Sequence, residues 1–476
     1  MNLIARFLDQ AEIWGRRTAI VEASGRSASF GDLAGRSAAL AAAWRVRGIA
    51  AGDRVLVAMP LGIELYAALA GLWRLGATVV FPEPALGLAG LRHAATAARP
   101  KAYLSAGCYR VLRFLVPELW RVPLQLDAVD GVAGVDPCSA VADDHPALIS
   151  FTSGSTGAPK GILRTHGFLA AQNAAVARIL APRRDNAVDL VAFPVFVIAN
   201  LALGITSVLP NWRPAQQDRI DAASLLRWIR SNGVRRILAP PAVCELIAAA
   251  PSPVDIDAVF TGGGPVFPDL LLKLIEQLPR AEIVSVYGST EAEPIAHQAV
   301  AALSAADWQA MRSGAGLLAG EPVAGIRLRL EAEEIVVTGA HVNKGYLDGV
   351  GDAGAKPMID GELWHRTGDA GRVDDRRRLW LLGRRDARAG AFYPFQIEAP
   401  ARLWPGVRRA ALIPGAMPVL AIEGDAVHAP MWRREAERIG GLRLLEMPIP
   451  LDRRHRSKVD YVRLARQVDR NLRAQR

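Results

Sequence analysis

Residues 151–161 read FTSGSTGAPKG and follow a short apolar run at 147–150. Binding a phosphate requires donors without bulk. Gly154 and Gly157 let backbone N–H groups converge on an anion, Thr152, Ser153, Ser155 and Thr156 add hydroxyls, and Lys160 adds charge. The pattern is not a Walker A loop, because Pro159 precedes the lysine and no Ser or Thr follows it. On spacing alone, a polar turn without chemistry is the plain alternative. Lysine itself is informative here, since the chain holds six lysines against 51 arginines. Lys160 and Lys458 are therefore places where a compact ammonium stands although guanidinium is the rule.

Such a loop must be held by stiff elements. Helix-like runs at 33–45 and 62–75 alternate with short apolar stretches at 54–59 and 78–81, a β–α–β rhythm. The rhythm recurs at 147–151 with a helix after His166, and at 190–193, 236–239, 258–261 and 283–286. An α/β fold with parallel sheets covered by helices is the economical architecture, and ligands then gather at the carboxyl ends of the strands. Past residue 320 the texture turns to alternating strands at 326–330 and 334–338, which predicts a smaller antiparallel, β-rich subdomain. A further boundary is expected near Gly383, so that residues 1–383 form a large N-terminal domain and 384–476 a small, mobile α+β domain able to cap it.

The formal net charge of +10 is scattered, often in pairs such as Arg16 with Arg17 and Arg235 with Arg236. No aromatic-interleaved basic stretch and no zinc spacing appears, which argues against nucleic acid as partner. Basic residues near the C-terminus suit an acidic partner or a polyanionic ligand instead. Cys108, Cys138 and Cys244 are far apart and the first residues develop no apolar leader, so a reduced, cytoplasmic setting is expected. Residues 190–212 carry no charge, yet Pro194, Asn200, Gly204 and Pro210 break the run. A buried strand followed by a pocket-lining helix fits it better than a transmembrane segment, and none is expected.

The loop at 151–161 resembles the phosphate-binding signature of the adenylate-forming superfamily of acyl-CoA synthetases, peptide-synthetase adenylation domains and luciferases. Other motifs stand in the family's order: SFGDLAGRSAALA and GDRVLVAMP near the start, TGGGP at 261–265, YGSTE at 287–291, RTGD at 366–369, GRRD at 383–386, and Lys458. The resemblance implies an AMP-binding domain over 1–383, a lid domain over 384–476, and ATP-dependent activation of a carboxylic acid to acyl-AMP with release of pyrophosphate. Gly262, Gly263 and Gly264 would let adenine lie flat on backbone, and Tyr287 would stack on it, with Gly288, Ser289 and Thr290 completing that turn. Glu291 with Thr156 would hold Mg²⁺ on the ATP phosphates. Asp369 would accept both ribose hydroxyls, reinforced by Arg384, and Asp386 would be the hinge. Lys458 would enter during adenylation and stabilise charge developing between carboxylate and α-phosphate. The catalytic set implied is thus Lys458, Glu291 and Thr156. Plain alternatives are a simple turn at Gly263, a core aromatic at Tyr287, a solvated acid at Glu291, a turn cap at Asp369 and a solvated basic face around Lys458.

Two departures bear on the second step. Thioester-forming members often carry a histidine or another aromatic that gates a thiol channel, where this chain has Val197, and the usual glycine–lysine run after Asp386 is missing. Both features, with RRLWLLGRR and PLDRRHRSK, look like the β-lactone synthetases of the olefin pathway. Three readings stay open: transfer of the acyl group to a thiol of CoA or of an acyl or peptidyl carrier protein, closure of a β-hydroxy acid to a β-lactone, and a noncatalytic nucleotide-binding relative. Phe196, Val197 and Asn200 are the substrate candidates, in a segment whose apolar side chains favour a hydrophobic or fatty acid or are ordinary core. The short small domain and trimmed loops suggest a specialised, secondary-metabolic enzyme.

Overall fold

The computed structural model describes residues 2–82, 86–128, 137–152, 159–182, 187–212, 220–252, 254–415, 417–452 and 456–474. The β–α–β rhythm becomes a six-stranded sheet in the order Leu124–Asp127, Ala102–Ser105, Arg54–Ala58, Thr78–Phe81, Pro146–Thr152, Lys160–Thr165. Helix Ile63–Arg74 joins two of its neighbours, and its Ala and Gly positions allow the close packing that buries it almost completely. Gly71 is one such contact, because a Cβ there would lie 3.0 Å from the Ser37 carbonyl on helix Phe30–Val46.

A second sheet of 13 strands contains the parallel run Val188–Val191, Arg236–Ala239, Ala258–Gly262 and Glu282–Ser289. The β-rich part expected past residue 320 is built onto this sheet. The alternating strands past residue 320 do not form a sheet of their own: Ala292–Ala299 pairs antiparallel with Glu282–Ser289, then with Leu317–Pro322, and the ladder runs on to Ile326–Glu331. Strand alternation reports which faces are buried and says nothing about where a hydrogen-bonded ladder stops.

The strand before the phosphate loop and the helix from His166 stand where expected, with an additional return strand between them. Pro146–Thr152 pairs antiparallel with Lys160–Thr165 in the register Thr152↔Lys160, so Lys160 opens the return strand of a hairpin, and helix His166–Leu180 follows only after that strand. The return strand is short and carries buried Gly161 and Ile162 at its start, which concealed it among turn residues.

Past Arg384 the chain builds a three-stranded sheet, Val407–Ile413, Val419–Gly424 and Arg443–Glu446, with helices Pro394–Ala401, Ala429–Ile439 and Tyr461–Ala474 around it. Trp432, Leu412 and Leu420 are buried in one cluster of this unit, Leu464 and Val468 in another. Arg402 ties it to the larger part: its guanidinium, buried over the Phe267 ring, donates to Asp269 at 2.8 and 3.0 Å and to Glu245 at 3.1 Å.

Glu398 is the buried acid of the small unit. Its Oε1 accepts from the Leu412 N–H at 2.9 Å and the Tyr461 hydroxyl at 2.8 Å, and burial pushes its pKa up to about 7. A carboxyl whose folded pKa is raised adds stability below its unfolded pKa near 4.5, and that contribution is lost as pH rises through 7. Glu398→Gln, which mimics the protonated acid, should therefore gain on the wild type by about 2–3 kcal/mol between pH 4.5 and 8. Parallel pH–stability curves for the two proteins in urea unfolding would refute the assignment.

Candidate active site

The site lies where three strand ends meet. Strand Ala258–Gly262 runs into Gly263 and Gly264, and Gly263 has φ +73°, in the left-handed region that favours glycine. Gly264 is required for a different reason: a Cβ there would stand 2.6 Å from the Ser457 Cβ. The segment before the last helix is thus pressed against the glycine turn. Its Ser457 Oγ accepts from the Ala242 N–H at 3.1 Å, satisfying one of the free donors at the start of helix Pro241–Ala248. Lys458 follows, exposed, its backbone held by a 2.8 Å hydrogen bond from its N–H to Asp452 Oδ1. Residue 458 therefore stands beside the Gly262–Gly264 turn although almost 200 positions separate them.

On the neighbouring strand Tyr287 donates through its hydroxyl to Asp369 Oδ2 at 2.8 Å, and Arg384 donates to Asp369 Oδ1 at 3.1 Å. Asp369 is also fixed from below, its N–H donating to Thr367 Oγ1 at 3.1 Å. Burial and the adjacent carboxylate push the Tyr287 phenol well above its ordinary pKa, so it remains a donor at neutral pH. A tyrosine ring, a carboxylate and a guanidinium are thus brought together from strands Glu282–Ser289, His365–Val373 and Leu379–Arg384. Asp386 lies just beyond, exposed in the short turn Arg385–Ala387.

The third group surrounds Glu291. The Tyr346 hydroxyl donates to Glu291 Oε1 at 3.1 Å, Lys160 Nζ sits 4.9 Å from the Tyr346 ring centre and Lys356 Nζ 5.3 Å from it. Lys356 is buried, donates to the Asn343 carbonyl, and has its pKa pushed down to about 8 by desolvation. The Thr290 carbonyl is held by Arg164 at 2.8 Å, which fixes the turn through Gly288 and Ser289. Lys356 and Tyr346 were missed from the sequence. The scarcity of lysine, which pointed to Lys160 and Lys458, was the signal available for Lys356 as well.

Mg²⁺ fits this cluster in kind. The ion keeps most of its shell from water and nucleotide phosphates and needs one or two protein carboxylates, and Glu291 is a half-buried carboxylate oriented by Tyr346 beside two ammonium groups suited to phosphate. Ser153, Gly154, Ser155, Thr156 and Gly157 lie outside the described residues, as does the side chain of Thr152.

Beside Gly262 and Gly263 lies a narrow apolar pocket, partly open to solvent, walled by Val176, Leu180, Phe193, Phe196, Leu238 and Phe260. Thr261 and Glu293 also line it, and Glu293 is the one ionisable side chain among its described lining residues. Of the three substrate candidates the structure brings Phe196 to this wall. Val197 packs into the core on another face of helix Pro194–Leu203. Asn200, completely buried, donates to Asp189 at 3.0 Å and Ser207 at 3.2 Å and supports the Asp189–Arg236 ion pair. Val197 is one position round the helix from Phe196 and faces elsewhere, whereas Asn200, a turn further along, is taken up by its hydrogen bonds to Asp189 and Ser207.

A model of the AMP-binding enzyme family matches residues 7–347, which is most of the chain. The chain belongs to this AMP-binding enzyme family. It is an adenylate-forming acid ligase, 29% identical to an olefin beta-lactone synthetase of Xanthomonas campestris pv. campestris over 92% of this chain and 90% of that protein. A feruloyl-CoA synthase of Amycolatopsis sp is 30% identical over 89% of this chain and 87% of its own length. The fold of this AMP-binding enzyme is that of the ATP-bound MatB from Rhodopseudomonas palustris (TM-score 0.80, 20% identity, 98% of both chains covered). The O-succinylbenzoate coenzyme A synthetase of Bacillus subtilis in complex with AMP is similarly close (TM-score 0.77, 20% identity, 96% of this chain and 97% of that one). Among the described residues no helix is long and apolar enough to cross a membrane.

Proposed function

We propose that this enzyme adenylates a hydrophobic β-hydroxy acid and closes the acyl-adenylate to a β-lactone. The observation that carries the reading is the apolar cavity at Gly262–Gly263 with Glu293 in its wall. An apolar tail would occupy the space between Phe193, Phe196, Leu238 and Phe260, which leaves the carboxyl end at the glycine turn beside Lys458. Two departures support an acceptor other than a thiol: Val197 is buried where thioester-forming members place a gating aromatic, and the segment after Asp386 lacks their glycine–lysine run. The likeness to the olefin beta-lactone synthetase over 92% of the chain agrees with both.

In the first step the substrate carboxylate attacks the α-phosphate of ATP and pyrophosphate departs. Lys458 offsets the negative charge that builds up between them, Asp369, Arg384 and Tyr287 hold the ribose and base, and Lys160 and Lys356 lie toward the phosphates. Mg²⁺, held by Glu291 with Thr156, supplies charge neutralisation on those phosphates when bound. In the second step the β-hydroxyl oxygen forms a bond to the acyl carbon, the bond from that carbon to the phosphate oxygen breaks, and AMP leaves with the electron pair. The hydroxyl proton passes to the carboxylate of Glu293. Residues 1–383 act as the nucleotide-binding domain and 384–476 as the lid turning on Asp386.

The test is incubation with ATP, Mg²⁺ and either a long-chain 3-hydroxy acid or the same acid without the hydroxyl, thiols being absent. Lactone and stoichiometric AMP from the hydroxy acid alone are expected. AMP release that requires CoA or a carrier-protein thiol would select thioester formation instead. Within the lactone reading, Glu293→Gln should lower lactone release about 100-fold while leaving ATP–pyrophosphate exchange within a few-fold of wild type. Equal loss of both rates would remove Glu293 from the second step.

A further inference from the structure

The segment from Gly107 to Arg121 is three short turns of helix, Gly107–Val111, Leu112–Leu115 and Pro117–Arg121. It follows strand Ala102–Ser105 on the six-stranded sheet. Val116 and Leu119 are fully buried beneath it, packed with Leu91 and Tyr103, so the segment is pegged to the core. Against that anchor, Val111, Phe114, Leu115 and Trp120 are 55, 74, 53 and 63% exposed. Four large apolar side chains standing out within ten residues of a firmly seated segment need an occupant.

The charge around them says which. Arg110, Arg113 and Arg121 are interleaved with the apolar tips, and the one acid of the segment, Glu118, is engaged by Arg92 of the adjoining helix at 3.8 Å. Arg110 pairs with Asp127, whereas Arg113 and Arg121 have no ion pair among the described residues. The Trp120 indole N–H donates to the Arg113 carbonyl at 2.7 Å, so its polar edge is satisfied inside the protein and the ring body faces outward. Exposure above one half for all four tips describes side chains that project singly, without the walls of a groove that would grip a peptide. Projecting Phe, Leu and Trp flanked by guanidinium groups match an interface in which apolar chains lie under a layer of phosphate.

We propose that residues 107–121 dock this enzyme on the surface of an anionic phospholipid bilayer, with Phe114, Leu115 and Trp120 entering the headgroup region and Arg113 and Arg121 contacting lipid phosphates. The proposal stands independently of the acid that is activated.

The full chain is sedimented with vesicles of phosphatidylglycerol mixed into phosphatidylcholine, and with pure phosphatidylcholine vesicles. Binding to the anionic vesicles is expected, weakened about tenfold on the neutral ones and about tenfold by either Phe114→Ser with Trp120→Ser or Arg113→Glu with Arg121→Glu. ATP–pyrophosphate exchange measured without vesicles should be unchanged in both double variants, which certifies that they fold. Three outcomes overturn the proposal: no partition onto anionic vesicles, partition equal in wild type and variants, or light scattering that shows a dimer in the wild type and a monomer in the Phe114→Ser, Trp120→Ser protein. The last would make the patch a contact between copies of this chain.

Discussion

Lys458→Ala is expected to lower ATP–pyrophosphate exchange about 1,000-fold, equivalent to roughly 4 kcal/mol of transition-state stabilisation, with an unchanged melting temperature. The two halves of that expectation have separate causes. Lys458 is exposed and its local structure is held by backbone bonds to Asp452, so truncating its side chain removes no packing. Its segment is nonetheless pressed onto Gly264 through Ser457, which holds the backbone of residue 458 near the turn where we propose the nucleotide binds. Lys458→Arg should rescue little, since a planar fork cannot replace a compact ammonium in a fitted position. Gly264→Val should displace the Ser457 contact and reduce exchange while Lys458 is still present. Exchange within a few-fold of wild type in Lys458→Ala would sink the assignment.

The second large effect concerns stability. Asp189→Ala should cost about 3–5 kcal/mol in urea unfolding, seen as a lower midpoint with an unchanged slope. Asp189 and Arg236 face each other in register on neighbouring parallel strands, with bonds of 2.8 and 3.0 Å, and both are buried. Removing the acid leaves a guanidinium in the core whose remaining hydrogen-bond acceptor among the described residues is the neutral Leu180 carbonyl, 2.8 Å away. Asp189→Leu combined with Arg236→Met should recover most of the loss, because the expense lies in an uncompensated charge rather than in losing an attraction. Arg236 also stacks on Phe260, a wall of the substrate cavity, so Asp189→Ala should raise the KM for an apolar acid too. A loss below about 1 kcal/mol would show that the pair is replaceable by water.

How legible the site was depended on how local each feature is. The TGGGP and YGSTE turns could be read because a strand end followed by glycine, or by small polar residues, is written in consecutive positions. Lys160 could be singled out as a rare lysine, but its setting in an antiparallel hairpin could not be read, since pairing Thr152 with Lys160 is a relation between strands. Tyr346 and Glu293 were invisible for the same reason, and for Lys356 only the rarity of lysine offered a signal. Each looks like an ordinary loop or strand residue until Tyr346 meets Glu291, Lys356 meets the Tyr346 ring, and Glu293 lines the cavity. Asn200 shows the converse: its polar side chain in an apolar run looked like a substrate contact, and its partners are Asp189 and Ser207, contributed by two strands beside its helix.

The amino-acid sequence by itself determined the α/β alternation, the glycine turns and the rare lysines, because hydrophobic period and backbone freedom are properties of a few adjacent residues. Tertiary structure alone decided that the antiparallel strands continue the parallel sheet, that Ser457, next to Lys458 in the chain, is pressed against Gly264, and that three strands bring Tyr287, Asp369 and Arg384 into one hydrogen-bonded group. The Tyr287–Asp369 and Gly264–Ser457 contacts join residues 82 and nearly 200 positions apart, and a chain acquires them only when burial of its core fixes which ends of which strands lie side by side.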